Sequence, residues 1–122
     1  MIEVLDGYRD GVLAIDVSGE VSDDDYEDVL DPAIADLLTR HDKIRLLYRL
    51  GEDFEGYEGD AMWEDAKLGM RNFTKFDRLA VVTDTTWVRR SVKAFGWMMP
   101  GQVRVFGLGE MQSASTWISE AD

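Results

Sequence analysis

The sequence predicts an α/β fold, and three observations indicate it. Short runs rich in β-branched and aromatic residues alternate with stretches whose apolar residues recur at helical spacing. Several of the short runs are apolar on both faces, which is typical of strands buried inside a largely parallel sheet. The length of 122 residues and an apolar fraction of 45% suit one domain with its own core. We therefore expect residues 1–122 to form a single α/β domain with the element order ββαβαβαβα.

The strands begin with a predicted N-terminal hairpin. Ile2 to Asp6 and Gly11 to Val17 are β-rich, and the Asp-Gly pair between them suits a tight turn. The second of these runs is apolar on both faces, so we place it inside the sheet. Three further strands are predicted at 43–50, 78–84 and 102–107. Because strands separated by helices are joined by crossovers, we expect a mixed five-stranded sheet that is mostly parallel, with the hairpin as its antiparallel part.

Four helices are predicted to pack against this sheet. The first begins at Ser22, whose side chain can cap free N–H groups, and Pro32 must kink or restart it. An acidic, glycine-punctuated loop is expected over 51–59. The remaining helices are predicted at 60–73, 86–98 and 110–120.

Composition excludes several classes of function. The formal net charge of -12 argues against nucleic acid as a partner, since binding a polyanion requires Lys and Arg against the phosphates. The absence of cysteine excludes disulfides and thiolate metal sites, and cytoplasm is the expected location. No signal peptide and no apolar stretch of ~20 residues is apparent. The charge is uneven, because residues 1–65 contain 20 acids and 5 Lys or Arg whereas residues 66–122 contain 5 acids and 8 Lys or Arg.

Little in the sequence predicts catalysis. The single histidine, His41, falls at the end of the first helix, where a cation opposes the negative dipole end, so we interpret it as a cap. The acidic residues at 23–31 lack the alternation and the glycine of a calcium loop. A second acidic set at 52–60 follows the third strand, where α/β proteins bind ligands. No phosphate loop or nucleophile elbow is present, so we predict no enzyme, no metal and no cofactor.

The segments VSGEVSDDDYEDVLDPAI, FEGYEGDAMWEDAK and FDRLAVVTDTTW, followed by VRVF and ASTWI, resemble the SpoIIAA-like family, relatives of the STAS domains. The resemblance implies a mixed sheet covered by helices, a fold shared with anti-sigma factor antagonists and similar to the lipid-binding CRAL-TRIO domain. In the antagonists, a phosphorylatable serine begins the helix after the third strand. This chain has no Ser or Thr between Asp42 and Phe73 and is acidic there, so the phosphoswitch is not expected to carry over.

The 86–99 helix is the main functional candidate. On a helical wheel Val88, Val92, Phe95 and Met99 share a sector of about 60°, whereas Trp97 shares a face with Arg90 and Lys93. A tryptophan among cations is typical of a helix that lies on a membrane surface or covers an apolar ligand. The expected contact residues are Trp87, Arg90, Lys93, Trp97 and Met98, and the expected pocket residues are Phe54, Tyr57, Met62, Trp63, Phe95 and Met99.

These residues predict a non-enzymatic binding module for an apolar or lipid-like ligand, with peripheral attachment to a membrane as a related role. The alternative is a STAS-like protein-interaction module that uses the same apolar surface. Two further interpretations of Trp97 stay open. It could pack on its own cationic neighbours, or it could be covered by a loop or by the second copy of a homodimer.

Overall fold

A computed structural model of the chain describes residues 1–57 and 73–120, the side chains of Tyr57, Phe73 and Phe95 excepted. The strands are β1 (Ile2–Val4), β2 (Val12–Val21), β3 (Ile44–Tyr57), β4 (Phe76–Val82) and β5 (Gln102–Phe106). The described residues contain three helices where four were predicted. Helix α1 combines Asp23–Asp25, a π-helical turn at Tyr26–Leu30 and Asp31–Leu38, α2 is Thr86–Phe95 and α3 is Met111–Ser119. The helix predicted at 60–73 lies outside the described residues, except that Phe73–Lys75 forms a 3₁₀ turn.

The sheet has the predicted mixed topology. Its five strands lie in the order β1-β2-β3-β4-β5, with β1 antiparallel to β2 and every other neighbouring pair parallel. Strand β2 is interior, as its two apolar faces predicted. Strands β1 and β5 are the two edges, so one side of β5 has no neighbouring strand in this sheet.

Strand β3 is longer than predicted, and the loop expected over 51–59 was wrong for residues 51–57. Glycines and acids in that segment favour a loop, and Gly56 does adopt a left-handed φ of 115°. Strand β2, however, also continues past its predicted end and pairs with the segment, Gly19 opposite Phe54 and Val21 opposite Tyr57. A neighbouring strand satisfies the backbone hydrogen bonds, so the extended form is stable despite unfavourable residues.

Helices cover both faces of the sheet. On one face α1 and α2 pack on β2 to β4, where Ile15, Val17, Ile44 and Leu50 are among the strand residues with 0–1% exposure. Alternation along β2 sends Leu13 and Ile15 to this face and Val12 and Ala14 to the other, where α3 packs. The result is a three-layer arrangement with helices on both sides of a mostly parallel sheet.

Helix α1 begins at Ser22 as predicted, and a π-helical turn precedes Pro32. Ser22 and Asp25 form a capping box, with the Asp25 carboxylate accepting from the Ser22 N–H at 2.9 Å. The π-helical turn follows this capping box, and the N–H of Asp31 donates to the Tyr26 carbonyl at its end. Pro32 then lies in the first turn of the last α-helical part, a position at which helices tolerate proline. The predicted restart is therefore confirmed, and its form is a π-helical turn.

Candidate functional site

A groove of about 360 Å³ runs between the C-terminal end of α2 and the edge strand β5. The helix and the 3₁₀ turn that follows it (Gly96–Met98) face one side of this groove, and β5 forms the other. The residues that line it are Val92, Lys93, Gly96, Trp97 and Met99 from the helical side and Gly101, Val103 and Val105 from the strand side. We call this space the α2–β5 groove.

Two glycines allow the walls of the groove to approach each other. A Cβ atom on Gly96 would lie 3.2 Å from Cγ1 of Val103, so the end of α2 sits closer to β5 than a side chain would comfortably permit. At Gly101 a Cβ atom would lie 2.6 Å from the carbonyl oxygen of Asp77 and would also collide with that of Phe76. The glycine at 101 is therefore required for β5 to enter the sheet beside β4.

Trp97 stands at the rim with its ring in solvent. Its side chain is 80% exposed, and the neighbouring Met98 is 58% exposed. The indole Nε1–H donates to the Ala94 carbonyl at 2.9 Å, which satisfies the only polar atom of the side chain and also caps the end of α2. What remains for a partner to contact is an apolar ring held in one place.

The groove carries positive charge. Lys93 is the single charged residue that the described part of the chain contributes to its lining, and Arg90 is exposed one turn earlier on α2. No salt bridge joins either cation to a carboxylate among residues 1–57 and 73–120. Arg89 differs, because its guanidinium donates to the Thr83 carbonyl at 2.9 Å and is tied to the sheet.

The other predicted contact residue, Trp87, lies away from the groove. It occupies the first turn of α2, is 49% exposed, and meets the ring of Phe54 from β3 with 6.4 Å between ring centroids. The structure thus brings Lys93, Trp97 and Met99 together at one end of α2, and Trp87 and Phe54 at the other. Met98 and Arg90 are exposed beside the groove without lining it.

The structure does not describe the side chains at four of the predicted pocket positions. Met62 and Trp63 lie outside the described residues, and the side chains of Tyr57 and Phe95 are not described. Conversely, the sequence did not predict that Val103 and Val105 line the groove. The alternation of QVRVF would have placed both valines on one face of the strand, but it could not indicate which helix faces them.

Stacking of cations on Trp97 is absent from the contacts of the described residues. The two cation–π contacts there both involve Trp117, with the guanidinium carbons of Arg78 and Arg104 lying 5.2 and 4.9 Å from its ring centroid. Among the sequence-based interpretations, the one in which Arg90 and Lys93 cover Trp97 thus finds no contact in the structure.

A second, polar pocket of about 270 Å³ lies at the end of the sheet where the parallel strands begin, beside the C-terminal end of α3. Its floor is Arg45, only 4% exposed, whose guanidinium donates to the carbonyls of Ile118 and Glu120 at 3.1 and 2.6 Å and to Asp77 at 3.2 Å. Arg9 donates to the same Glu120 carbonyl at 3.0 Å. These arginines cap the C-terminal end of α3, where carbonyls lack helical partners and the dipole is negative.

His41 lies in the wall of this polar pocket, just after α1 as predicted, but its ring does not cap that helix. Its Nε2 lies 2.9 Å from the Asp10 carboxylate, and Arg40 donates to the same carboxylate at 3.0 Å. Hydrogen bonds from Arg40 and then from His41 lower the pKa of Asp10 from 3.8 to about 2. The histidine therefore helps to hold the β1–β2 loop against the end of α1.

Neither acidic set forms a metal site in the part of the chain that is described. Within 1–57 and 73–120, no three His, Asp or Glu side chains converge closely enough to hold a metal ion. Glu52, Asp53 and Glu55 of the second set are exposed along the extension of β3. No helix in the same ranges has the length and apolar character needed to cross a membrane.

The site belongs to a three-layer α/β protein built on a mixed, mostly parallel sheet, with an open groove at its last strand. The SpoIIAA-like family model matches residues 12–119, so the chain belongs to the SpoIIAA-like family. A crystal structure of an uncharacterised DUF3478-family protein from Shewanella loihica PV-4, with a SpoIIAA-like fold, is similar over 97% of this chain and 92% of that one. The TM-score is 0.75 and the identity 24%, a likeness of fold. No curated protein matches the chain.

Proposed function

We propose that this protein is a non-enzymatic binding module that holds an apolar, lipid-like ligand on the surface around the C-terminal end of α2. The same surface also attaches the protein peripherally to a membrane. Its binding elements are the α2–β5 groove, the exposed side chains of Trp97 and Met98, and the cations Arg90 and Lys93. The cytoplasm is the location that this proposal assumes.

The observation that carries the proposal is the 80% exposure of Trp97 beside a groove lined by valines and Met99. An indole ring buries a large apolar area when it is covered, so full exposure is unfavourable unless a partner covers it. Because the N–H of this ring is already bonded, contact with apolar material leaves no polar atom unsatisfied. Adjacent cations favour an anionic surface or head group.

Vesicle flotation tests the membrane part. Wild-type protein should float with vesicles that contain phosphatidylserine more than with pure phosphatidylcholine vesicles, and the double variant Trp97→Ala, Met98→Ala should remain at the bottom of the gradient. Val4→Ala is the matched control, because Val4 is a 48% exposed apolar residue on the opposite edge strand, β1. Equal, weak flotation of all three proteins would exclude the membrane part.

Fluorescence titration with the uncharged probe N-phenyl-1-naphthylamine tests the ligand part. Probe emission should rise on binding to the wild type, and Trp97→Ala should weaken this binding whereas Val4→Ala should not. If the probe and the vesicles both fail to bind, the proposed function is wrong. A stoichiometric protein partner whose capture depends on Trp97 would then favour the STAS-like interaction module, for which the open edge of β5 beside Trp97 offers a docking strand.

A further inference from the structure

We propose that the ligand of the α2–β5 groove is a free, single-chain amphiphile with an anionic head group, whose head pairs with Lys93 and whose chain lies between α2 and β5. This inference rests on the proposed function and narrows it from any lipid-like molecule to one chemical class. It concerns the groove alone and does not involve Trp87 or Phe54.

The size of the groove favours one chain. Its volume of about 360 Å³ lies near the lower end of the roughly 300–1,000 Å³ that small-molecule pockets span. A space of this volume suits a single hydrocarbon chain.

Four apolar side chains in the lining offer contacts to a hydrocarbon chain. Side chains of Val92 and Met99 from the helical side face those of Val103 and Val105 from β5. Val92 and Met99 also pack against the main core, so this part of the groove is a continuation of a fixed apolar surface.

The charge of the lining selects the head group. Lys93 supplies an ammonium at the wall, no carboxylate of residues 1–57 or 73–120 lines the groove, and Arg90 adds a second exposed cation one turn away. A lysine can lay its aliphatic stem along an apolar ligand while its ammonium meets a carboxylate or phosphate head in solvent. Most of the acidic residues lie in 1–65, whereas α2 belongs to the part of the chain in which Lys and Arg outnumber the acids, so an anion is expected to prefer this end of α2.

Calorimetric titration with three ten-carbon probes tests the inference: decanoate, 1-decanol and decyltrimethylammonium, each below its aggregation concentration. We expect decanoate to bind more tightly than both others. Lys93→Gln should weaken decanoate binding about 2- to 5-fold, as for an exposed ion pair, and leave decanol unchanged. Lys43→Gln, which removes an exposed cation that lines the polar pocket and not the groove, is the matched control and should change nothing.

The outcomes separate this inference from the proposed function. Equal affinity for the three probes, or decanoate binding that Lys93→Gln does not change, would refute the inference that the ligand has an anionic head group. The proposed function as a binding module for a lipid-like ligand would be unaffected. Absence of binding for all three probes, while N-phenyl-1-naphthylamine still binds in a Trp97-dependent way, would also refute the inference. Loss of both kinds of binding would overturn the inference and the ligand part of the proposed function together.

Discussion

Substituting Arg45 by methionine should loosen the last helix from the sheet. The Arg45 side chain is almost fully buried, and it joins the N-terminal end of β3 to the C-terminal end of α3. Methionine is unbranched and similar in length, so it keeps most of the packing of the arginine stem while removing every hydrogen bond from the guanidinium. The experiment therefore isolates the polar contribution of one capping side chain.

The expected loss is worked out from three of the partners of Arg45, namely Ile118, Glu120 and Asp77. The Ile118 carbonyl is buried, and leaving it without a donor costs about 1–3 kcal/mol. The Asp77 side chain is 41% exposed and can regain water, so its ion pair is worth only about 0.2–1 kcal/mol. The Glu120 carbonyl is part-buried and recovers in the same way. Together these give a loss of about 2–3 kcal/mol, a large part of the roughly 5–15 kcal/mol that stabilises a small domain.

Urea unfolding followed by far-ultraviolet circular dichroism measures this loss. With a slope of about 1.5 kcal/mol per molar urea, the midpoint should fall by about 1–2 M. Lys43→Met is the control, because that exposed residue lies two positions earlier and its substitution should change the stability by less than about 0.5 kcal/mol. Equal midpoints for the two variants would show that the guanidinium does not secure α3, and the reasoning would be refuted.

Two further predictions concern the backbone at β5 and the acid side of the stability curve. Gly101→Ala should destabilise the domain by about 1–3 kcal/mol in the same urea assay, because its Cβ would collide with the carbonyl of Phe76; Gly109→Ala, which meets nothing within 4 Å, should be near neutral. Carbon-detected NMR titration should place the pKa of Asp10 near 2, and Arg40→Gln should move it up toward 3.8. Since the pKa is lowered in the folded state, the stabilisation from Asp10 is present above pH 3.8 and is lost as the pH falls toward 2. An unchanged pKa in Arg40→Gln would contradict this assignment.

The sheet was the most predictable part of the molecule. Runs that are apolar on both faces, such as 12–17, indicated interior strands, and all five predicted strands were confirmed in a mixed, mostly parallel sheet. Segment 51–57 was the exception. Its glycines and acids have low strand propensity, yet the extension of β2 supplied hydrogen-bond partners, and propensity is weaker than such tertiary pairing.

The candidate site was predictable only in part. Helical spacing separated Trp97 from Val88, Val92 and Met99, and this division holds, since Trp97 is exposed and the other three contact the core. Spacing along one element cannot report which strand lies opposite it. The α2–β5 groove, and the split between the Trp97 and Trp87 ends of α2, depend on that placement.

The sequence by itself determined the fold class, the family, the start of α1 at its Ser22 cap and the amphipathic division of α2. The cap and the amphipathic division follow from local patterns, because each depends on residues within a few turns of each other, and the fold class and the family follow from the order of such patterns along the chain. Only the tertiary structure decided where Val103 meets Gly96, and how Arg45 in β3 reaches the carbonyls of Ile118 and Glu120. Those contacts join segments that are distant in the sequence. A local pattern does not indicate which distant residue will lie next to it in the folded chain.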